Sequence, residues 1–178
     1  MMARELDEGG MNLTRLERER IQAVERSGLM DGRTRPALDI VARNAALSLR
    51  ASMGFVSIIG RDRQHAVGSH GIELPPVPRG QSFCHHTIAG LEPLVVGDTR
   101  IDPRFAHNPF VLAEPYLRAY AGVPLIDAEG HALGALCVAE RYARSFEAGE
   151  LLSLLRLGDM AVRLIESEAR ECRRRLAS

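Results

Sequence analysis

Ser82-Phe83-Cys84-His85-His86-Thr87-Ile88, Pro93-Leu94-Val95-Val96-Gly97-Asp98 and Asp102-Pro103-Arg104-Phe105-Ala106-His107-Asn108-Pro109 follow one another within residues 79–136. The first segment reads as a short helix over residues 82–89, stopped at Gly90, and the second as a short strand over 93–96. The third lies in an irregular connection, residues 98–115, punctuated by Pro103, Pro109 and Pro115. A connection of that length is often functional. A Cys beside two His raises thiol and metal chemistry at once, so the surroundings must decide what this stretch is for.

Before it, residues 54–59 are short, β-branched and bounded by Gly, which predicts a strand; a polar turn at 61–64 leads into a second strand over 64–69. Residues 72–80 carry Pro75, Pro76 and Pro78 and are expected to hold no regular element. After it come strands at 118–126 and 132–140, joined by the hairpin signal Asp127-Ala128-Glu129-Gly130. Apolar residues at helical spacing predict helices over 13–30 (Leu13, Leu16, Ile21, Val24 and Leu29, capped by Asn12 or Thr14), over 36–50 from Pro36, and over 145–176. The last carries Leu151, Leu154, Leu155, Met160, Ala161, Leu164 and Ile165.

These elements make an α+β domain, an antiparallel sheet of five to six strands with flanking N- and C-terminal helices. In the last strand Leu133, Ala135, Cys137 and Ala139 alternate with Gly134, Leu136 and Val138, so both faces are apolar or small and both must be covered. Terminal helices cover one face. The Pro-rich connections and the Cys84 helix roof the other, and that roof makes a small-molecule pocket. One domain over 12–170 is expected, with residues 1–11 a flexible arm and 171–178 a charged helix end.

Composition excludes several classes. The chain has 178 residues, 46% hydrophobic and 26% charged, with no Trp, which describes a globular protein large enough to need no disulfide or metal. All 23 basic residues are Arg and balance 23 acidic ones, so no global charge attracts nucleic acid. No apolar run approaches the roughly 20 residues of a spanning helix, and the acidic start is unlike a signal peptide. No membrane association and a cytoplasmic setting are expected. The three cysteines, Cys84, Cys137 and Cys172, are odd in number and widely spaced, and are read as separate reduced thiols.

With Asp62-Arg63-Gln64, Asn108-Pro109, Arg118-Ala119-Tyr120-Ala121-Gly122-Val123-Pro124-Leu125 and Gly134-Ala135-Leu136-Cys137-Val138 added, the ordered words resemble the GAF domain in its bacterial signalling branch, over residues 16–164. The resemblance implies a PAS-like sheet with a pocket on one face and helices that pair subunits. It also implies sensory work beside kinase or cyclic-dinucleotide output domains, none of which is visible in this sequence. The lysine-containing signature of cyclic-nucleotide GAF domains cannot occur in a chain without Lys, and residues 114–118 hold no Cys for bilin attachment.

Adjacent helical residues point about 100° apart, so Cys84, His85 and His86 cannot easily hold one ion, and neither a metal nor a cofactor is expected. A haem- or metal-linked sensor using His85, His86 or His107 is the remoter alternative. Free methionine sulfoxide reductases resemble GAF domains and place a cysteine near Cys84, but residues 98–111 lack the partner cysteine, which leaves Cys84 a lone thiol. Arg104 and Arg118 offer charge-assisted bonds to an anion, against the plainer reading that Arg104 pairs with Asp98 or Asp102 and fixes the loop. The expected pocket comprises Cys84, His85, Asp98, Arg104, Phe105, Arg118 and Tyr120. The expected function is non-catalytic sensing of a small molecule by a homodimer paired through its terminal helices, with a separate kinase or cyclic-dinucleotide protein as output. The enzymatic alternative is a thiol redox activity of Cys84.

Overall fold

Thr14 begins the first helix, α1 (Arg15–Ser27): its Oγ1 accepts the Glu17 backbone N–H at 3.2 Å, and Gly28, at φ 70°, ends it in the left-handed conformation. The computed structural model describes residues 13–176; the expected arm of 1–11, the alternative cap Asn12 and the last two residues lie outside the described residues. The helix is shorter than the expected 13–30 because Gly28 stops it, and Leu16, placed on its apolar stripe, is exposed. Helix α2 (Pro36–Ser48) starts at its proline.

Six strands follow as one antiparallel sheet: β1 (Met53–Ile59), β2 (Arg63–His70), β3 (Val77–Pro78), β4 (Leu94–Val96), β5 (Ala119–Ile126) and β6 (Ala132–Glu140), in the spatial order β3-β2-β1-β6-β5-β4. Between them lie α3 (Phe83–Ile88), after a tight turn at Arg79–Gln81, and α4 (Pro109–Leu112); α5 (Ala148–Leu176) closes the chain. Two expectations are corrected here. Residues 72–80 do contain a strand, because Val77 and Pro78 pair with Gln64 and Arg63 at the sheet edge, where a proline without an N–H breaks no ladder. The connection 98–115 contains α4, with Pro109 in its first turn and Asn108 accepting the Phe110 N–H at 2.9 Å.

Two hydrophobic cores lie on opposite faces of the sheet. On one, Val24 of α1, Leu38, Val41, Ala42 and Ala45 of α2, and Leu154, Ala161 and Ile165 of α5 pack on Val56, Ile58, Ala121, Val123, Leu136 and Val138. On the other, Phe83 and Cys84 of α3, Phe105 and Val111 cover Met53, Phe55, Ile59, Tyr120, Ala135, Cys137 and Ala139. Leu133 departs from the expected alternation. The β5–β6 register shifts between Leu125, opposite Gly134, and Ile126, opposite Ala132; the extra residue is Leu133, which turns it toward the helices. The last helix begins at Ala148 rather than at 145, and of its expected stripe Leu155 and Met160 are exposed.

Candidate functional site

Ser82 sets the roof. Its Oγ accepts the His85 backbone N–H at 3.0 Å as the cap of α3, and its hydroxyl donates to Gln64 Oε1 on β2. Gln64 Nε2 in turn donates to Ser57 Oγ on β1 at 3.0 Å. Held in this way, α3 directs Cys84 down onto the sheet, where Cys137 rises from β6 with its Sγ 3.6 Å away. From β5 the Tyr120 hydroxyl donates to Cys84 Sγ at 3.4 Å, and Thr87 Oγ1 lies 2.7 Å from that hydroxyl. All four side chains are buried.

The electrostatics of the two thiols differ. The bond with Cys137 holds the Cys84 thiol below its ordinary value; burial acts the other way, and bonds from Tyr120 and Ser57 reinforce the lowering. The same bond, with burial, pushes Cys137 well up. Burial raises Tyr120 well above an ordinary phenol, with the charge on Cys84 adding to it. Of the three groups, Cys84 is therefore the one disposed to lose its proton first.

Beside the pair lies an apolar cavity of about 40 Å³. Its floor is Met53, Phe55, Tyr120, Cys137 and Ala139 of the sheet; its roof is Phe83 and Cys84, and the half-buried Ile72, Leu74 and Phe110 form its rim. Gln64 and Ser82 bring the other polar groups to its wall. Small-molecule pockets commonly measure about 300–1,000 Å³. The cavity as folded therefore suits a guest of a few heavy atoms, and a larger one enters only if the roof moves.

Of the seven residues expected at a pocket, Cys84 and Tyr120 line this cavity; the other five lie outside its wall. His85 points away, its Nδ1 accepting from Arg79 Nε at 3.1 Å, and burial followed by the Arg79 charge lowers its pKa. Arg79 also pairs with Glu17 of α1 at 2.6 Å, and Glu17 accepts from the buried Arg20 at 2.8 and 2.9 Å. Burial alone would raise the Glu17 carboxyl, but the bonds from Arg20 and Arg79 hold it below the usual range. A polar link thus runs from the roof to α1.

Phe105 is fully buried but packs behind α3, stacked on Phe83 at 4.1 Å with the His86 ring edge-on at 4.9 Å. Asp98 pairs with Arg100 at 2.7 Å, which holds its carboxyl down at about 2, and Arg104 pairs with Asp102 at 2.6 Å. Arg118 donates to the carbonyls of Val111 and Leu117 at 2.9 and 3.0 Å. These charges are spent within the connection. Cys84, His85 and His86 face three different neighbourhoods, whereas Asp127, Glu129 and His131 at the exposed β5–β6 turn are, among the described residues, the cluster with ligand atoms within 4.8 Å of one another.

Cys84 is not a lone thiol: its partner is Cys137, 53 residues away in sequence but 3.6 Å away across the gap between α3 and the sheet. Sequence reading also missed Ser57, Gln64 and Thr87. The signal was present in part, since Cys137 alternates with Ala135 and Ala139 on one face, but the residue opposite that face depends on where α3 lands.

The GAF domain family model matches residues 34–165, about three quarters of the chain. This chain belongs to the GAF domain family. A cyclic di-GMP phosphodiesterase of Pseudomonas aeruginosa is 36% identical over 128 residues, which is 72% of this chain and 22% of that protein. The chain thus spans about a fifth of that relative's length. Among solved structures, the GAF domain of an Acinetobacter phosphoenolpyruvate-protein phosphotransferase superposes with a TM-score of 0.63 at 15% identity, covering 85% of this chain and 91% of that one. A free methionine-R-sulfoxide reductase from Neisseria meningitidis, solved with its substrate, gives 0.61 at 18% identity, covering 97% and 99%. At such identities these structures share the GAF fold with this chain.

Proposed function

We propose that this GAF domain is a non-catalytic sensory module that takes a small, largely apolar ligand in the cavity between sheet and roof and passes the change to its terminal helices. The observation that carries this reading is the cavity itself: it lies on the sheet face opposite α1 and α5, and the Arg79–Glu17 pair ties its roof to α1. A ligand that enlarges the cavity must lift α3, and so favours one arrangement of α1 over another. Likeness to part of a cyclic di-GMP phosphodiesterase supports an output through a cyclic-dinucleotide enzyme or a kinase, and the proposed setting is the cytoplasm. Exposed Leu152, Leu155 and Met160 on α5 support pairing of two copies through the terminal helices. Among the described residues no helix is long and apolar enough to cross a membrane.

Native mass spectrometry of the protein purified from its own host tests the reading. An adduct lost from a Phe55→Trp variant, whose larger ring fills the floor, is the expected result; ligand retained by that variant would place it elsewhere. The reductase alternative is tested by assaying free methionine sulfoxide turnover with the wild-type chain and Cys84→Ser, and turnover lost in the variant would establish an enzyme.

A further inference from the structure

Cys84 and Cys137 sit 3.6 Å apart, Sγ to Sγ, on different elements, one on the roof and one on the sheet. Both are buried, yet both line the wall of a cavity with room for a reagent the size of two water molecules and not for a bulky one. The Tyr120 hydroxyl donates to the Cys84 sulfur. Tyr120 is bonded in turn to Thr87, and the Cys84 and Cys137 sulfurs bond each other. A thiol so surrounded is the nucleophile of its pair, and the neighbour that keeps its proton is placed to resolve it.

We propose that Cys84 and Cys137 are a peroxide-sensitive modification site that closes to an intramolecular disulfide and fastens the roof helix to the sheet. In the first step Cys84, having lost its proton, attacks one oxygen of hydrogen peroxide. The O–O bond breaks, the departing hydroxide takes up that proton as water, and Cys84 becomes a sulfenic acid. In the second step the Cys137 sulfur attacks the Cys84 sulfur, the S–O bond breaks, and hydroxide leaves as water with the proton from Cys137. Two thiols and one peroxide give one disulfide and two waters, with two electrons passing from sulfur to oxygen. The sulfurs must approach from 3.6 Å to about 2 Å, which draws α3 down upon β6 and narrows the cavity. The site stands whether or not the cavity also holds a ligand.

The test uses the full chain carrying Cys172→Ser, so that the remaining thiols are the pair. After a small excess of hydrogen peroxide, alkylation under denaturing conditions is expected to label neither thiol. Intact mass falls by two hydrogen atoms, trypsin releases residues 80–100 joined to residues 119–141, and dithiothreitol reverses all three changes. Cys137→Ser is expected to stop at a sulfenic acid on Cys84 that dimedone traps, whereas Cys84→Ser leaves Cys137 unoxidised by the same dose. Closing a loop between residues 53 apart should also raise the melting temperature of the oxidised form by several degrees. Both thiols still alkylated after peroxide, or oxidation of Cys84 that never joins it to residues 119–141, would overturn the proposal. The peptide mapping on the chain with both thiols decides the matter even if a serine variant fails to fold.

Discussion

Tyr120 carries more of the site than any other single residue, because its hydroxyl serves Thr87 and Cys84 together in a buried setting. Removing that oxygen in Tyr120→Phe leaves the Thr87 hydroxyl without its partner and takes one stabilising bond from Cys84. A loss of about 1–2 kcal/mol in urea unfolding is expected, together with an upward shift in the pH at which Cys84 begins to react with a small alkylating reagent. An unchanged pH profile would show that the hydroxyl does not tune the thiol. His85 gives a second prediction at this scale. Its folded pKa is depressed by burial, Arg79 and His86, so its contribution is fully present above the unfolded value of about 6.5 and is lost as pH falls toward the folded one. Glu17, also depressed, adds a loss at lower pH, below about 4. The melting temperature should therefore fall as pH drops from 7 to 5, and His85→Gln, which keeps an acceptor for Arg79 but cannot protonate, should flatten that slope. His86, lowered by burial and Arg104, adds a loss in the same direction.

Helix α2 shows how closely the elements approach. A Cβ built on Gly68 of β2 would lie 2.4 Å from the Leu38 carbonyl oxygen, and one on Gly54 of β1 would lie 2.3 Å from that of Ala42. Neither contact is with a side chain that can swing aside, so Gly68→Ala must push the helix off the sheet. Roughly 3 kcal/mol of destabilisation is expected, at the upper end of overpacking costs, measurable by chemical unfolding. A near-neutral result would mean that α2 shifts freely. The same elements show what the chain made readable. Helices and strands were legible because Ala42 and Ala45 keep helical spacing and Leu136 and Val138 keep strand spacing, which local chemistry enforces. The antiparallel sheet was legible through the family's words, and the roof through the two apolar faces of β6, both of which need cover. The pairing of Cys84 with Cys137 was not, since it depends on register across β1 and β6 and on the angle at which Ser82 launches α3. Nor was the inward or outward sense of Asp98, Arg104 and Arg118, because each could find a loop partner as readily as a ligand and only geometry shows that the loop won.

For the whole molecule the decisive property is that its two cores are separated by one sheet and joined around its edge by Arg79, Glu17 and Arg20. A change at the roof can reach α1 by that link without rearranging the sheet, and α1 packs beside α5. Signals carried by terminal helices need something for those helices to move against, which is the physical reason for expecting two copies. The outer face of α5 supplies the material, with Leu152, Leu155 and Met160 exposed beyond what the inner stripe of Leu154, Ala161 and Ile165 uses. Charge placed on that face should separate the copies and leave each fold intact, since these side chains contribute nothing to the cores. Leu152→Glu with Leu155→Glu is therefore expected to halve the mass seen by light scattering while leaving the urea midpoint of a dilute sample nearly unchanged. A wild-type chain already monomeric at high concentration would remove the dimer, and with it the helix-pairing route. The cavity and the thiol pair would then have to act through the roof link alone, which Glu17→Gln, by weakening its bonds to Arg79 and Arg20, would expose as faster hydrogen exchange in α1.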